Sequence, residues 1–122
     1  MGRKGTKNTD SDIAFELLAS HCDLLFNRIR DIISNDNLTP DSVQATELLV
    51  NIEIFIAMEK ANLGQMHPEP SEVAKWSEAF LNYFDDHSSD VWDAKSDWVK
   101  KRRMEIQKTF KRLTRICEAY HG

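Results

Sequence analysis

Apolar residues in this chain return every three or four positions, or two turns apart, and that rhythm restricts the fold more than any other feature. Phe15, Leu18, Cys22, Leu25, Ile29 and Ile32 form one series, and Val73, Trp76, Phe80 and Phe84 another. Val99, Ile106, Phe110, Leu113, Cys117 and Tyr120 form a third. An α-helix turns once in about 3.6 residues, so each series lines one face of a helix. Strand signals are missing: β-branched residues do not alternate with polar ones, and no Asn-Gly or Asp-Gly hairpin turn occurs. The expected fold is all-α, an antiparallel four-helix bundle. The 122 residues give room for one domain with a hydrophobic core and too little chain for two.

The helix ends are read from caps and breakers. Residues 1–8, "MGRKGTKN", carry two glycines and three bases and read as a flexible basic arm ahead of a single helical domain, 9–122. Thr9 or Ser11 caps the first helix, Asp10 and Asp12 suit the positive end of its dipole, and it runs to about Ile33. Thr39-Pro40 predicts the start of a second helix, which reaches Asn62 or Leu63, with Gly64 closing it. Ser71 is the expected cap of a third helix, interrupted at "DDHSSD". The last helix starts between Ser89 and Asp97, where "DVWDAKSD" fits its first turns, an extra short helix or a bend.

The second helix carries more apolar surface than one bundle face uses. Ala45, Leu48, Leu49, Ile52, Ile56 and Leu63 make one face; Val50, Ile54, Ala57, Met58 and Ala61 make a second on the far side. The first helix repeats this weakly through Ile13, Leu17 and Leu24. A contiguous second stripe marks either a central helix covered on both sides by its own chain or a further contact. The expectation is a homo-oligomer, a dimer first of all, with a heterologous protein partner as the other occupant.

Charge is strongly polarised within a net of −4. Residues 8–94 carry a net −13, and residues 95–122 carry nine bases against three acids. Lys100, Lys101, Lys108, Lys111, Arg112 and Arg115 fall within an arc of about 120° opposite the core stripe of the last helix. Arg102 and Arg103 flank that stripe and are placed for pairing inside the fold. The outward ridge is an electrostatic footprint for phosphates or for an acidic protein. No aromatic residue interleaves it to stack bases, and no helix-turn-helix glycine turn is present. Opposite in sign, Tyr83, Asp85, Asp86, Asp90, Trp92, Asp93, Asp97 and Trp98 form an acidic-aromatic segment suited to docking a basic partner.

Reaction centres are hard to assemble. His21, His67, His87 and His121 are scattered, with no HExxH or calcium-loop pattern, so neither metal nor cofactor is expected. Cys22 and Cys117 sit on core stripes, where burial suits them better than nucleophilic chemistry. "SHCDLLFNRI" resembles the start of hemerythrin-like helices, but the later histidine and paired-glutamate ligands of those bundles are missing. Arg115 and His121, with five residues between them, resemble in spacing the arginine-histidine pair of the all-helical HEPN ribonucleases, which would imply RNA cleavage by those two residues. Here the residue after the arginine is Ile116 rather than the polar one usual in that family.

No run of eighteen apolar residues and no apolar signal core occur, so a cytoplasmic protein without membrane contact is expected. The function these readings favour is a non-enzymatic binding or regulatory accessory acting through protein-protein contacts and self-association. Sequence-indifferent nucleic-acid binding by the ridge and the N-terminal arm is the alternative, and a HEPN-like ribonuclease the third.

Overall fold

Three of the four helices begin on a serine hydroxyl and the fourth on a proline. The structure, a computed structural model, describes residues 5–35, 38–93 and 95–122. Its helices are α1 (Asp12–Ile33), α2 (Val43–Lys60), α3 (Pro70–Val91) and α4 (Asp97–His121), with no strand among the described residues. Ser11, Ser42 and Ser96 accept from the N–H groups of Ala14, Ala45 and Val99, each cap contributing about 1 kcal/mol. Residues 1–4 of the expected arm lie outside the described residues.

Several expected boundaries move, for local reasons. Pro40 does not open α2, because Ser42 folds back to donate to the Thr39 carbonyl and takes the cap itself, leaving Pro40 in the preceding turn. The left-handed residue after α2 is Asn62 (φ 61°), not Gly64. A side chain at Gly64 would instead collide with the Glu59 carboxylate, so that glycine serves a close approach. Pro70 displaces Ser71 from the start of α3, since a proline at the first helical position forfeits no hydrogen bond. "DDHSSD" does not interrupt α3: Ser88 follows Phe84 by four residues and is buried on the same stripe. No extra short helix precedes α4 among the described residues; Ser96 N–H closes a turn on the Asp93 carbonyl and α4 starts directly after it.

The helices pack as a bundle in which α1 neighbours α2 and α3, and α4 neighbours α2 and α3. Antiparallel α3 and α4 meet through Phe80 and Phe110, with ring centroids 5.8 Å apart, and through Asp85 and Arg103. Contacts between α2 and α4 advance in the same direction on both helices, from Thr46 beside Arg102, through Glu53 at Thr109, to Lys60 beside Ile116. These two helices therefore run parallel, and residues 61–69 return the chain between them and α3.

Phe26, Phe55, Phe80, Phe84 and Phe110 fill the core, joined by Trp76. Phe26 is its junction: its ring stands edge-on to Phe55 at 4.7 Å and stacks on Trp76 at 6.0 Å, linking α1, α2 and α3. The expected burial of Phe15 and Leu18 does not occur, and no residue from 12 to 21 is fully buried. The ring contacts of α1 with α2 and α3 come from Phe26 in its second half, and its first turns are only half covered. Tyr120, also expected in the core, is 60% exposed and covers the bundle end with one ring face only.

Candidate functional site

Along α4, Lys100, Lys101, Lys108, Lys111 and Arg115 are exposed, and none joins an ion pair among the described residues. Arg112 differs from its neighbours on the ridge. Its Nη2 donates to both Glu53 oxygens, at 3.1 and 2.8 Å, while the Thr109 hydroxyl donates to the same carboxylate at 3.2 Å. Arg112 thus fastens α4 to α2 and has its charge partly engaged. On the other flank Arg103 grips Asp85 in a fork, at 2.7 and 2.8 Å. Arg102 is half-buried and forms no ion pair among the described residues.

Beside the ridge lies a groove of about 290 Å³ between α2 and α4. Ile56 and Ile116 make its floor, and Glu59, Lys60, Arg112 and Arg115 its edges. Glu59 Oε2 lies 2.8 Å from His67 Nε2, and at the edge of the groove this one carboxylate stands against three bases. Arg112 and Arg115 also border a polar concavity of about 460 Å³ with Glu105, Lys108 and Lys111, which joins the groove to the ridge.

The second stripe of α2 is uncovered. Val50 is 47% exposed and Ile54 43%, Ala57 and Ala61 are exposed, and Met58 alone is half-buried against the core. Val43, 79% exposed, extends the stripe to the start of the helix. No other helix of the described chain lies over it, so α2 is not a central helix wrapped on both sides.

The acidic-aromatic residues form a corner between α3 and α4. Trp92 packs on Phe84 at 6.0 Å and meets Trp98 edge-on at 4.8 Å, and Tyr83 is half-buried against the core. Asp85 is held by Arg103, Asp90 by His87 at 3.1 Å, Asp93 accepts from the Lys95 N–H, and Asp97 lies in the first turn of α4. Asp86 and Trp98 remain exposed. Most of these groups shape the turn, leaving a smaller surface than the segment carries in sequence.

Sequence reasoning missed His67. Its side chain is only 3% exposed; Nε2 meets Glu59, and its ring stacks on Tyr120 at 4.0 Å and stands edge-on to Phe55 at 5.3 Å. Its Nδ1 is buried without a hydrogen-bond partner. Nothing in local periodicity marks a loop histidine for burial. His121 Nε2 lies 2.9 Å from the His67 carbonyl oxygen. Arg115 and His121 do not converge: an offset of six positions sets them about 120° apart around α4, one on the ridge and one at the bundle end. Cys22 and Cys117 are buried and unpaired, and burial, with Glu59 and Glu69 adding to it, pushes the Cys117 thiol up to about 12. Among the described residues no three His, Cys, Asp or Glu side chains are placed to hold a metal ion, and no helix is long and apolar enough to cross a membrane.

Three ion pairs tie stability to pH. Hydrogen bonds from Arg28, Arg30 and Arg103 hold Glu47, Glu72 and Asp85 below their ordinary values of 4.5, 4.5 and 3.8. A carboxyl with a depressed folded value stabilises the fold above the ordinary value and loses that contribution as pH falls through the lower one. The urea midpoint is therefore expected to drop below about pH 4.5, and Glu72→Gln with Asp85→Asn to flatten that drop while lowering the midpoint at pH 7.

No known protein family matches the chain, and no curated protein or solved structure matches it either.

Proposed function

We propose that this protein is a non-enzymatic helical accessory that acts by protein-protein contact and self-association, and that its α2–α4 groove receives an acidic amphipathic segment of a partner. One observation carries this reading: an aliphatic floor, Ile56 and Ile116, is bordered by the bases Lys60, Arg112 and Arg115 and continues into Lys108 and Lys111. A helix laid in such a groove buries its apolar face on the isoleucines and sets its carboxylates against bases on one side. Steering by the ridge raises the encounter rate, and the floor gives the complex its lifetime. Phosphate backbones have no use for an aliphatic floor, and the only aromatic residue between Lys100 and Arg115 is the buried Phe110, which offers nucleobases no ring to stack on.

The test is fluorescence anisotropy with a labelled amphipathic peptide of leucine and glutamate, against the same composition scrambled, and against single-stranded RNA. Wild type is expected to bind the amphipathic peptide at least tenfold more tightly than the scrambled one. Arg115→Glu and Ile116→Ala each weaken it, the first more at low salt and the second at all salt concentrations. Preference for RNA with a steep salt slope would replace this reading with nucleic-acid binding.

A further inference from the structure

The exposed face of α2 has a finer order than an apolar patch. Val43, Glu47, Val50, Ile54, Ala57 and Ala61 follow one another at intervals of four, three, four, three and four, the seven-residue repeat of a coiled-coil seam. The core needs the opposite face of α2, where Ala45, Leu48, Ile52 and Phe55 are fully buried, so the seam is surplus to the fold. It runs for about 27 Å.

We infer that this seam pairs with the same seam of a second copy, antiparallel, about a two-fold axis passing between Val50 and Ile54. The inference specifies the self-association within the function proposed above, and it rests on α2 alone. Three features select the antiparallel arrangement. Size is complementary: antiparallel pairing sets Val43 against Ala61 and Glu47 against Ala57 at both ends, with Val50 against Ile54 in the middle. Charge is complementary as well. A groove of about 330 Å³ lined by Asp41, Val43, Thr46, Glu47 and Val50 opens at the start of α2, and the second copy brings its exposed Lys60 to that end, against the exposed Asp41, Glu47 being already held by Arg28. A parallel pair would instead bring like ends together, Asp41 beside Asp41 and Lys60 beside Lys60. Finally, antiparallel helices place opposite dipole ends side by side. Near the axis Glu53 approaches its own symmetry mate, and each is already neutralised by Arg112 at 2.8 Å.

Light scattering of the full chain at 100 µM is expected to give twice the 14.1 kDa chain mass. Val50→Glu with Ile54→Glu halves it, with helical circular dichroism and affinity for the acidic peptide unchanged. A nitroxide on Ala61→Cys in the otherwise unaltered protein, its native thiols being buried, reports direction: about 27 Å between labels in the antiparallel pair, and under about 15 Å in a parallel one. A single-chain mass, a short label distance, or a double mass that survives the two glutamates each overturns the inference. Loss of peptide binding with the double mass intact would refute the groove reading and leave this one standing.

Discussion

Phe26→Ala is expected to lower stability by about 3–5 kcal/mol, a large share of what a domain of this size possesses. Phe26 is 1% exposed and is the point where α1 reaches both α2 and α3, through Phe55 and Trp76. Removing its ring leaves a cavity at a three-helix junction whose walls belong to different elements and cannot close together. The contrast is Phe15→Ala, the same exchange eleven residues earlier on the same helix. Phe15 is 37% exposed and sits on turns where no residue is fully buried, so its loss is expected to cost about 1 kcal/mol or less. Urea unfolding followed by circular dichroism separates the two. Equal costs would contradict the reading that α1 is anchored only by its second half.

His67→Ala is expected to cost about 2–4 kcal/mol, more than a loop residue ordinarily does. The side chain fills space against Phe55 and beneath Tyr120 and bonds the Glu59 carboxylate; truncation removes both the packing and that partner. The loss should be local before it is global. Amide exchange is expected to speed up across residues 61–69 and the last turn of α4, where His121 meets the His67 carbonyl, while α3 keeps its protection. Tyr120→Ala, at the exposed side of the same stack, should cost no more than about 1 kcal/mol.

What could be read from the sequence was what local periodicity encodes. Val73, Trp76, Phe80 and Phe84 on α3, and Val99, Ile106, Phe110, Leu113 and Cys117 on α4, are buried as their spacing requires, because these two helices pack along one another. Periodicity says which face is apolar, and is silent on whether a neighbour is long enough to cover it. Phe15 and Leu18 therefore looked like core, and Phe26 and Phe55, adjacent to residues that also satisfied the pattern, were passed over. Polar runs mislead in the opposite direction: "DDHSSD" is the solvent face of a continuing helix, betrayed only by Ser88 in step with Phe84. The ridge was legible as charge, but its partition was not. That Arg112 is engaged by Glu53, while Arg115 has no ion pair among the described residues, depends on which residues of α2 face α4, as does the groove between them. Helix order in the bundle, which no local signal carries, creates the candidate site.

A partner that docks in the groove must perturb the residues that line it. Amide chemical shifts of the nitrogen-15-labelled chain, recorded as the acidic amphipathic peptide is added, test it most directly. Saturating shifts are expected at Ile56, Lys60, Arg112, Arg115 and Ile116, with residues 83–98 unmoved. Shifts confined to residues 83–98, or spread evenly over every exposed base of α4 without reaching Ile56, would contradict it.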